Sequence, residues 1–543
     1  MKGMNALLKG KTNQKQTFLG GAAVLALATA IVKLLGAFYK IPLKRLIGDE
    51  GFGYFNTAYD IYSVLLMVST TGLPVAMSRM ISEAKTLGRT NQIQRIFQVS
   101  RKVFLVLGVV GTVGMSALCR QLAGVMNHEN SWFAILCLSP AVLFICLISA
   151  ERGFFQGQSN MVPTSVSQVM EAVCKLVVGL SLAYILNKTT GEMSKAAGGA
   201  ILGVTLGTVI STVYLILRRK KAAALLHVEC LDPSMDSQRD TVKKLIAIAA
   251  PITLGAAGLQ IITTIDTAVY MGQLKGAAGF SEDVADKLKG IYNFAQTIFN
   301  LPCAFVTPII VSAIPAITEQ LTLRKTQRAN TIAESATRVM GLITMPCSIG
   351  LAVLSEPVMQ LLGGYTADGS LGTASILMRI LAFCVFFNSF VLVMNAILQA
   401  HGYVFLPVIN MVIGGIVKVL VNLVLVGNAK INIVGVPVGT VICYMVITML
   451  DLVAIQRVLK HPPKLMVNVF KPALAALAMG VAAFLLNHLS MKIGLPLVLR
   501  TGVSILGAGV VYALLVVYLR VITRADCSLL PKGDKIAKLL RIP

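Results

Sequence analysis

Charged residues are scarce in this chain. Asp, Glu, Lys and Arg make up 13% of its 543 residues, against about 25% in an ordinary soluble domain. Hydrophobic residues make up 56%, and the mean hydropathy is +0.78. Apolar runs of about twenty residues, long enough to cross a bilayer as helices, recur from end to end. These features exclude a soluble multidomain protein. They predict an all-α polytopic membrane protein, since helices satisfy their own backbone hydrogen bonds in lipid.

Residues suited to metal or nucleotide chemistry are also few. Five histidines and ten cysteines show no metal-ligand or redox spacing. Gly10-Lys11-Thr12 resembles the end of a P-loop, but position 5 holds Asn instead of the required glycine. We expect no metal and no other cofactor.

Short connections between the apolar runs leave no room for a soluble catalytic domain, so we expect a protein that is not an enzyme. A membrane glycosyltransferase is a less favoured alternative. It would rely on the acidic residues Glu282, Asp283 and Asp286 in the external segment 272–290.

Basic residues outnumber acidic ones by 48 to 23, which gives a net charge of +25. In a soluble protein this excess would suggest nucleic acid. If successive apolar runs cross the membrane in alternating directions and the N-terminus lies inside, most Lys and Arg fall in cytoplasmic segments. These segments include 218–221 and the tail after 519. The bias follows the positive-inside rule. We therefore expect two cytoplasmic termini, contacts with anionic membrane lipids and no nucleic-acid partner.

The apolar runs number about fourteen, and the first twelve form two sets of six in the same order. Nineteen residues separate Gln156 from Lys175, and nineteen separate Gln399 from Lys418. Such a repeat predicts two pseudo-symmetric six-helix lobes, related by an axis along the membrane normal, plus two C-terminal helices. The predicted division is 1–217 for the first lobe, 218–244 for a basic cytoplasmic linker, 245–455 for the second lobe, 469–519 for the last two helices and 520–543 for a basic cytoplasmic tail.

Basic residues inside the apolar runs are the strongest functional signal. A cation at bilayer depth costs about 2.5–3.5 kcal/mol and therefore faces water or a partner. Lys33 and Lys40 lie two turns apart on one helix face, and Lys175 and Lys418 occupy equivalent places in the two repeats. We expect a cationic cavity for an anionic cargo, with phosphate as the favoured anion. The intramembrane cations are Lys33, Lys40, Arg79, Lys175, Arg379 and Lys418.

Other interpretations of these residues remain open. Lys40 could reach an interface, and Arg79 and Arg379 could lie at helix ends. Asp266, in the polar island 263–267, is a candidate site for proton or sodium coupling, or else part of a hydrogen-bond network between helices. Glu171 is a second coupling candidate, although it could simply neutralise Lys175 four residues on.

The opening of the chain resembles that of the SpoVB-like polysaccharide transporters. Segment 40–48 is followed by Gly-Phe-Gly-Tyr-Phe-Asn at 51–56, Gly-Leu-Pro at 72–74 and Ser-Arg at 78–79. These transporters are relatives of the MurJ-type lipid II flippases within the multidrug/oligosaccharidyl-lipid/polysaccharide (MOP) exporter superfamily. The resemblance covers essentially the whole chain. One departure is Tyr54, where the MurJ pattern has Asp, and this places the chain nearer the SpoVB-like subgroup.

The resemblance implies a V-shaped pair of lobes that alternate between inward-open and outward-open forms in the bacterial cytoplasmic membrane. It also implies a cationic cavity and a groove for a polyprenyl tail beside the last two helices. Arg45 and Gly48 match the R-x-x-G stretch that closes the first helix, which adds Arg45 to the substrate-binding candidates.

The expected function is to flip a polyprenyl-diphosphate-linked oligosaccharide, most directly the peptidoglycan precursor lipid II, with H⁺ or Na⁺ as possible coupling ions. The alternative is a cation-coupled multidrug exporter of the same superfamily. Such an exporter should have an acidic, aromatic cavity, whereas this chain has a single tryptophan, Trp132.

Overall fold

The computed structural model describes residues 18–225, 234–366, 369–459 and 461–521. The regular elements within these ranges are all helices, including two short 3₁₀ turns at Glu129–Ser131 and Asn432–Val434. The α-helices are α1 Phe18–Thr70, α2 Gly72–Thr86, α3 Thr90–Ala117, α4 Cys119–Val125, α5 Trp132–Gly157, α6 Val162–Thr190, α7 Met193–Leu225, α8 Gln238–Lys275, α9 Glu282–Thr322, α10 Thr326–Val353, α11 Ser355–Gly363, α12 Leu371–Ala400, α13 Phe405–Leu425, α14 Gly435–Val458, α15 Leu465–Lys492 and α16 Leu497–Tyr518.

The all-α membrane class predicted from composition is confirmed. In the described part of the chain, eleven helical stretches are long and apolar enough to span a membrane, with 31–86 counted as one of them. The 38-residue α8 and the 41-residue α9 are further long helices outside that count. The number of about fourteen spans therefore stays a prediction.

Helix α1 is two helices joined end to end. Gly48 has φ 68° and ψ −174°, a conformation that glycine adopts without the steric penalty of a side chain. The chain bends there and continues as a second helix through Asp60 to Thr70. The part of α1 before the break lines the cavity that is described below, and the part after it contributes to the largest hydrophobic core.

The largest hydrophobic core lies where α9 packs along α1 beside this break. Phe52 and Phe294 meet edge to face with ring centroids 6.1 Å apart, and both are fully buried. Gly290 permits the approach, because a Cβ at that position would collide with the backbone carbonyl of Asp49. The two halves of the chain thus share one core at this level.

One helix of the first half has a counterpart of equal length in the second half. Helices α3 and α10 are each 28 residues long, begin with Thr and are followed by a short helix. The last two helices pack on the second half: Pro472 of α15 lies against Gly341, and the Tyr512 hydroxyl of α16 donates to the Leu342 carbonyl at 2.9 Å. The lobe boundaries themselves stay a prediction.

Candidate functional site

A cavity of about 380 Å³ lies among α1, α6, α9 and α12. Its lining contains three lysines and no acidic residue: Lys33, Gly36, Ala37, Lys40, Lys175, Thr297, Asn300, Leu301, Cys303, Ala304, Asn388 and Leu392. The volume falls in the range of about 300–1,000 Å³ that is usual for small-molecule sites. The cavity is therefore electropositive and large enough to hold a compact anionic group.

Helix α1 supplies two of the three lysines from one face, as their seven-residue spacing predicts. The Lys33 ammonium donates to the Thr307 hydroxyl of α9 at 2.9 Å, and that of Lys40 donates to the Asn56 amide oxygen at 3.2 Å. Lys33 is exposed and Lys40 is half-buried. The exposed fraction of the lysine side chains thus falls along α1 toward its break at Gly48.

Lys175 of α6 lies in an aromatic cage. Its ammonium nitrogen is 4.4 Å from the ring centroid of Tyr59, 5.1 Å from that of Tyr39 and 5.7 Å from that of Phe55. It also donates to the Tyr59 hydroxyl at 2.8 Å. Ring faces stabilise a cation by about 0.5–2 kcal/mol depending on desolvation. The cage holds this charge at the cavity wall without neutralising it, since none of the rings carries a negative charge.

Two adjacent cations close the end of the cavity beside Gly48. Arg45 donates to the backbone carbonyls of Leu361 and Leu362, and Lys44 donates to that of Gly363 at 2.5 Å. These carbonyls belong to the last turn of α11, where helix carbonyls lack internal partners and the helix dipole is negative. Arg45, predicted to bind substrate, thus holds α1 against α11 in this arrangement. Lys44 was missed by the sequence analysis.

The remaining predicted cations lie outside the cavity lining. Arg79 on α2 and Arg379 on α12 are exposed. The Lys418 ammonium is 2.8 Å from a carboxylate oxygen of Asp266, and the two side chains are 15% and 4% exposed. Lys418 is not part of the lining that contains Lys175, and its place at a central cleft stays a prediction. The repeat places both lysines at equivalent helix positions, but of the two only Lys418 forms an ion pair with a carboxylate in the described structure.

The two ion-coupling candidates both have cationic partners. The second carboxylate oxygen of Asp266 accepts a hydrogen bond from the Asn422 amide at 2.6 Å, so both of its oxygens are engaged. Glu171 pairs with Arg152 at 3.2 Å rather than with Lys175. This arrangement matches the hydrogen-bond-network interpretation of Asp266 and leaves the charge of Lys175 unpaired by Glu171.

A buried polar network, also missed by the sequence analysis, joins the two halves beside the break in α1. His128 Nε2 lies 2.9 Å from Asp286 Oδ1, and both side chains are 0% exposed. The Thr57 hydroxyl is 2.6 Å from His128 Nδ1 and accepts a hydrogen bond from Lys289. Lys289 in turn lies 3.9 Å from Asp60. The network is buried and contains residues from both halves of the chain. It therefore joins the two halves beside Gly48.

Burial changes the acid–base behaviour of the two residues at the centre of this network, which lie between the predicted spans. It raises the pKa of Asp286 to about 7 and lowers the pKa of His128 well below its usual value. The nearby ammonium groups of Lys289 and Lys275 depress the pKa of His128 further. No signal in the sequence could have identified the pair, because 158 positions separate its members.

An apolar cavity of about 410 Å³ adjoins the cationic one. It lies between α9, α10 and α11 of the second half and the last two helices, which contribute Met479, Ala483, Ile505, Ala508 and Gly509. Leu301 of α9 lines both cavities. A charged compartment and an apolar one thus share a wall. The spacing of residues in the sequence did not locate this juxtaposition.

Family models match most of this architecture. The model described as polysaccharide biosynthesis protein matches residues 18–320, more than half of the chain, and a MatE model matches residues 289–424. The chain belongs to the polysaccharide biosynthesis protein family. Membership confirms the resemblance drawn from the opening residues.

Similar proteins from Bacillus subtilis (strain 168) span nearly the whole chain. Stage V sporulation protein B is 24% identical over 520 residues, which are 95% of this chain and 98% of that protein. The lipid II flippase MurJ is 25% identical over 480 residues, 86% of this chain and 87% of its own length.

Among solved structures, this family member matches a lipid II flippase MurJ in an inward closed conformation. The TM-score is 0.68 at 14% identity, over 91% of this chain and 98% of that one. An outward-facing multidrug resistance MATE transporter of the MOP superfamily matches with a TM-score of 0.58 at 15% identity, over 82% and 97% of the two chains. At these identities the likeness establishes the fold, which is that of MOP-superfamily transporters.

Proposed function

We propose that this protein flips a polyprenyl-diphosphate-linked oligosaccharide, most directly the peptidoglycan precursor lipid II, across the bacterial cytoplasmic membrane. The observation that carries the proposal is the cavity that holds Lys33, Lys40 and Lys175 with no acidic residue in its lining. The diphosphate of such a lipid is too polar to cross hydrocarbon unaided. Three ammonium groups in the cavity would replace the water that the diphosphate loses.

The two adjoining cavities support a substrate with a charged head and an apolar tail. The diphosphate would occupy the cationic cavity, and the polyprenyl chain would extend past Leu301 into the apolar cavity beside α15 and α16. Only the head would then leave the hydrocarbon. No bond is made or broken in this process, which makes the protein a transporter and not an enzyme.

Transport would proceed by alternating access, with one end of the cavity closed at a time. In this arrangement the end beside Gly48 is closed by the hydrogen bonds from Lys44 and Arg45 of α1 to carbonyls of α11 and by the pair of His128 and Asp286. The positive-inside prediction makes this the external end. The substrate would then enter from the cytoplasmic leaflet, and separation of these contacts would release it outside.

Cation-coupled drug export is the second candidate, since the fold is shared with MATE transporters. The cavity chemistry favours the flippase, because a lining with three lysines and no carboxylate repels cationic drugs. The two functions make opposite predictions for which cargo crosses the membrane.

The test is transport in proteoliposomes with fluorescent lipid-linked glycans that carry different heads, measured as the labelled fraction that changes leaflet. We expect Lys33→Ala and Lys175→Ala each to reduce the rate at least tenfold. Lys188→Ala is the matched control, because Lys188 is exposed near the end of the same helix as Lys175 and lies outside the cavity. Retention of the wild-type rate in both cavity variants would remove the cationic-cavity mechanism.

The choice of lipid separates the finer alternatives. Transfer of the lipid II head and not of other polyprenyl-diphosphate oligosaccharides would support the peptidoglycan assignment. The reverse preference would assign the protein to another surface polysaccharide. Equal transfer of a neutral phospholipid would contradict both, because that lipid carries no net charge for the lysines to recognise.

A further inference from the structure

A second basic cavity, of about 460 Å³, lies apart from the candidate site. It is formed by the turn between α2 and α3, the first three turns of α3, the end of α5 and the end of α7. Its lining has three basic side chains and no acidic one: Lys85, Gly88, Thr90, Ile93, Gln94, Phe97, Gln98, Arg101, Phe154, Gln158 and Arg219. The cavity thus combines positive charge with an aromatic floor.

The cavity keeps a net positive charge after its internal partners are counted. Arg219 donates to the Glu151 carboxylate at 2.8 Å and lies 4.5 Å from the ring centroid of Phe97. The Glu151 side chain is 2% exposed, so it holds Arg219 from behind without lining the cavity. Lys85 donates to the backbone carbonyl of Gln158 at 2.9 Å, a neutral partner. The three basic side chains are therefore offset by a single carboxylate, that of Glu151.

The start of α3 lies at this cavity. Thr90, its first residue, lines the cavity, and the first turn of this 28-residue helix contains no acidic residue. A carboxylate nevertheless lies near this helix end, because Asp236 pairs with Arg89 at 3.3 Å. The three basic side chains, and not the helix dipole, therefore supply the charge suited to a phosphate group.

An apolar strip leads from this cavity along the membrane-spanning part of α3. Arg101, Leu105 and Val109 follow one another at four-residue intervals and therefore share a face. Leu105 and Val109 are 45% and 44% exposed. A ligand that fits both features has a phosphate head and acyl chains that run parallel to the helix.

We propose that this cavity binds the headgroup of an anionic phospholipid among Lys85, Arg101 and Arg219, with its acyl chains along Leu105 and Val109. The site is separate from the transport cavity and goes beyond the proposed function. The bound lipid would remain on the first half of the protein, against α2, α3, α5 and α7.

A tryptophan placed in the cavity reports the lipid directly. Trp132 is the only tryptophan of the chain, so Gln98→Trp in a Trp132→Phe background gives a single probe at the cavity lining. The protein is reconstituted in nanodiscs of phosphatidylcholine that contain either brominated phosphatidylglycerol or brominated phosphatidylcholine. We expect phosphatidylglycerol to quench this tryptophan at lower mole fraction than phosphatidylcholine does.

The charge variants decide the assignment. Lys85→Gln with Arg101→Gln should reduce the preference by about fivefold for each charge removed. The control carries Lys102→Gln with Arg218→Gln, two exposed residues adjacent to the cavity residues in sequence but absent from its lining. The control should keep the wild-type preference, and its thermal unfolding provides a check on the fold of both variants.

Two outcomes would overturn the proposal. An equal loss of preference in the control would mean that a diffuse basic surface, and not the cavity, attracts the lipid. Relief of quenching by millimolar inorganic phosphate or glycerol phosphate would mean that the site prefers a soluble phosphate. Quenching that survives these competitors and is lost only in the cavity variant would establish the lipid site.

Discussion

The ion pair of Asp266 and Lys418 offers the sharpest test of how charge is used inside this protein. The ammonium nitrogen and the carboxylate oxygen are 2.8 Å apart, and the side chains are 15% and 4% exposed. Lys418→Met would leave a buried carboxylate without its cation, and such losses cost about 3–5 kcal/mol. Asp266→Asn would strand the ammonium at a similar cost. The double variant should lie near the wild type, because replacing both partners of a buried pair is often neutral.

The assay is reversible unfolding in mixed micelles, with the four proteins compared as a double-mutant cycle. Lys195→Met is the matched control: its pair with Glu192 has side chains 44% and 58% exposed, and exposed pairs contribute about 0–1 kcal/mol. If Lys418→Met were no more destabilising than Lys195→Met, the structural role of the pair would be refuted. The double variant should also transport with unchanged dependence on ion gradients. A changed dependence would restore Asp266 as a coupling site.

Three further outcomes follow from the cage and the closed end. Tyr59→Phe keeps the ring under Lys175 but removes the acceptor hydroxyl, so transport should fall less than in Tyr59→Ala, and equal losses would contradict the cage. Arg45→Gln removes the charged contact with α11 and should lengthen spin-label distances across that end, whereas unchanged distances would exclude a latch role. In a His128→Gln variant, the raised pKa of Asp286, about 7, means that closure takes up a proton. Lowering the pH from 8 to 5 should therefore favour the closed distances, and a shift toward open distances would reverse this sign.

Local periodicity accounts for what could be predicted about the first helix. Lys33 and Lys40 were assigned to one face from their spacing alone, and the structure places both in one cavity lining. That success rests on the fixed geometry of an α-helix. Helical spacing did not predict the break at Gly48. The resemblance did, since its R-x-x-G stretch closes the first helix at this glycine, and the structure has non-helical backbone there.

Symmetry between the repeats did not predict which groups surround the two equivalent lysines. Lys175 and Lys418 hold equivalent positions, yet Lys175 meets the Tyr59 hydroxyl and aromatic rings, whereas Lys418 meets Asp266. A repeat fixes where a helix lies and which way its residues point. The side chains that surround a given residue come from neighbouring helices, and the sequences of those helices differ between the two halves.

Composition and hydropathy by themselves determined the all-α membrane class, because apolar runs of about twenty residues are the length that a helix needs to span a bilayer, and a helix satisfies its own backbone hydrogen bonds in lipid. The opening residues also identified the family. The tertiary structure alone decided which cations share a cavity, which are paired with carboxylates and which close its end. These outcomes depend on contacts between residues more than a hundred positions apart, such as Lys175 with Tyr59 and Lys44 with Gly363, and helical periodicity carries no information about such contacts.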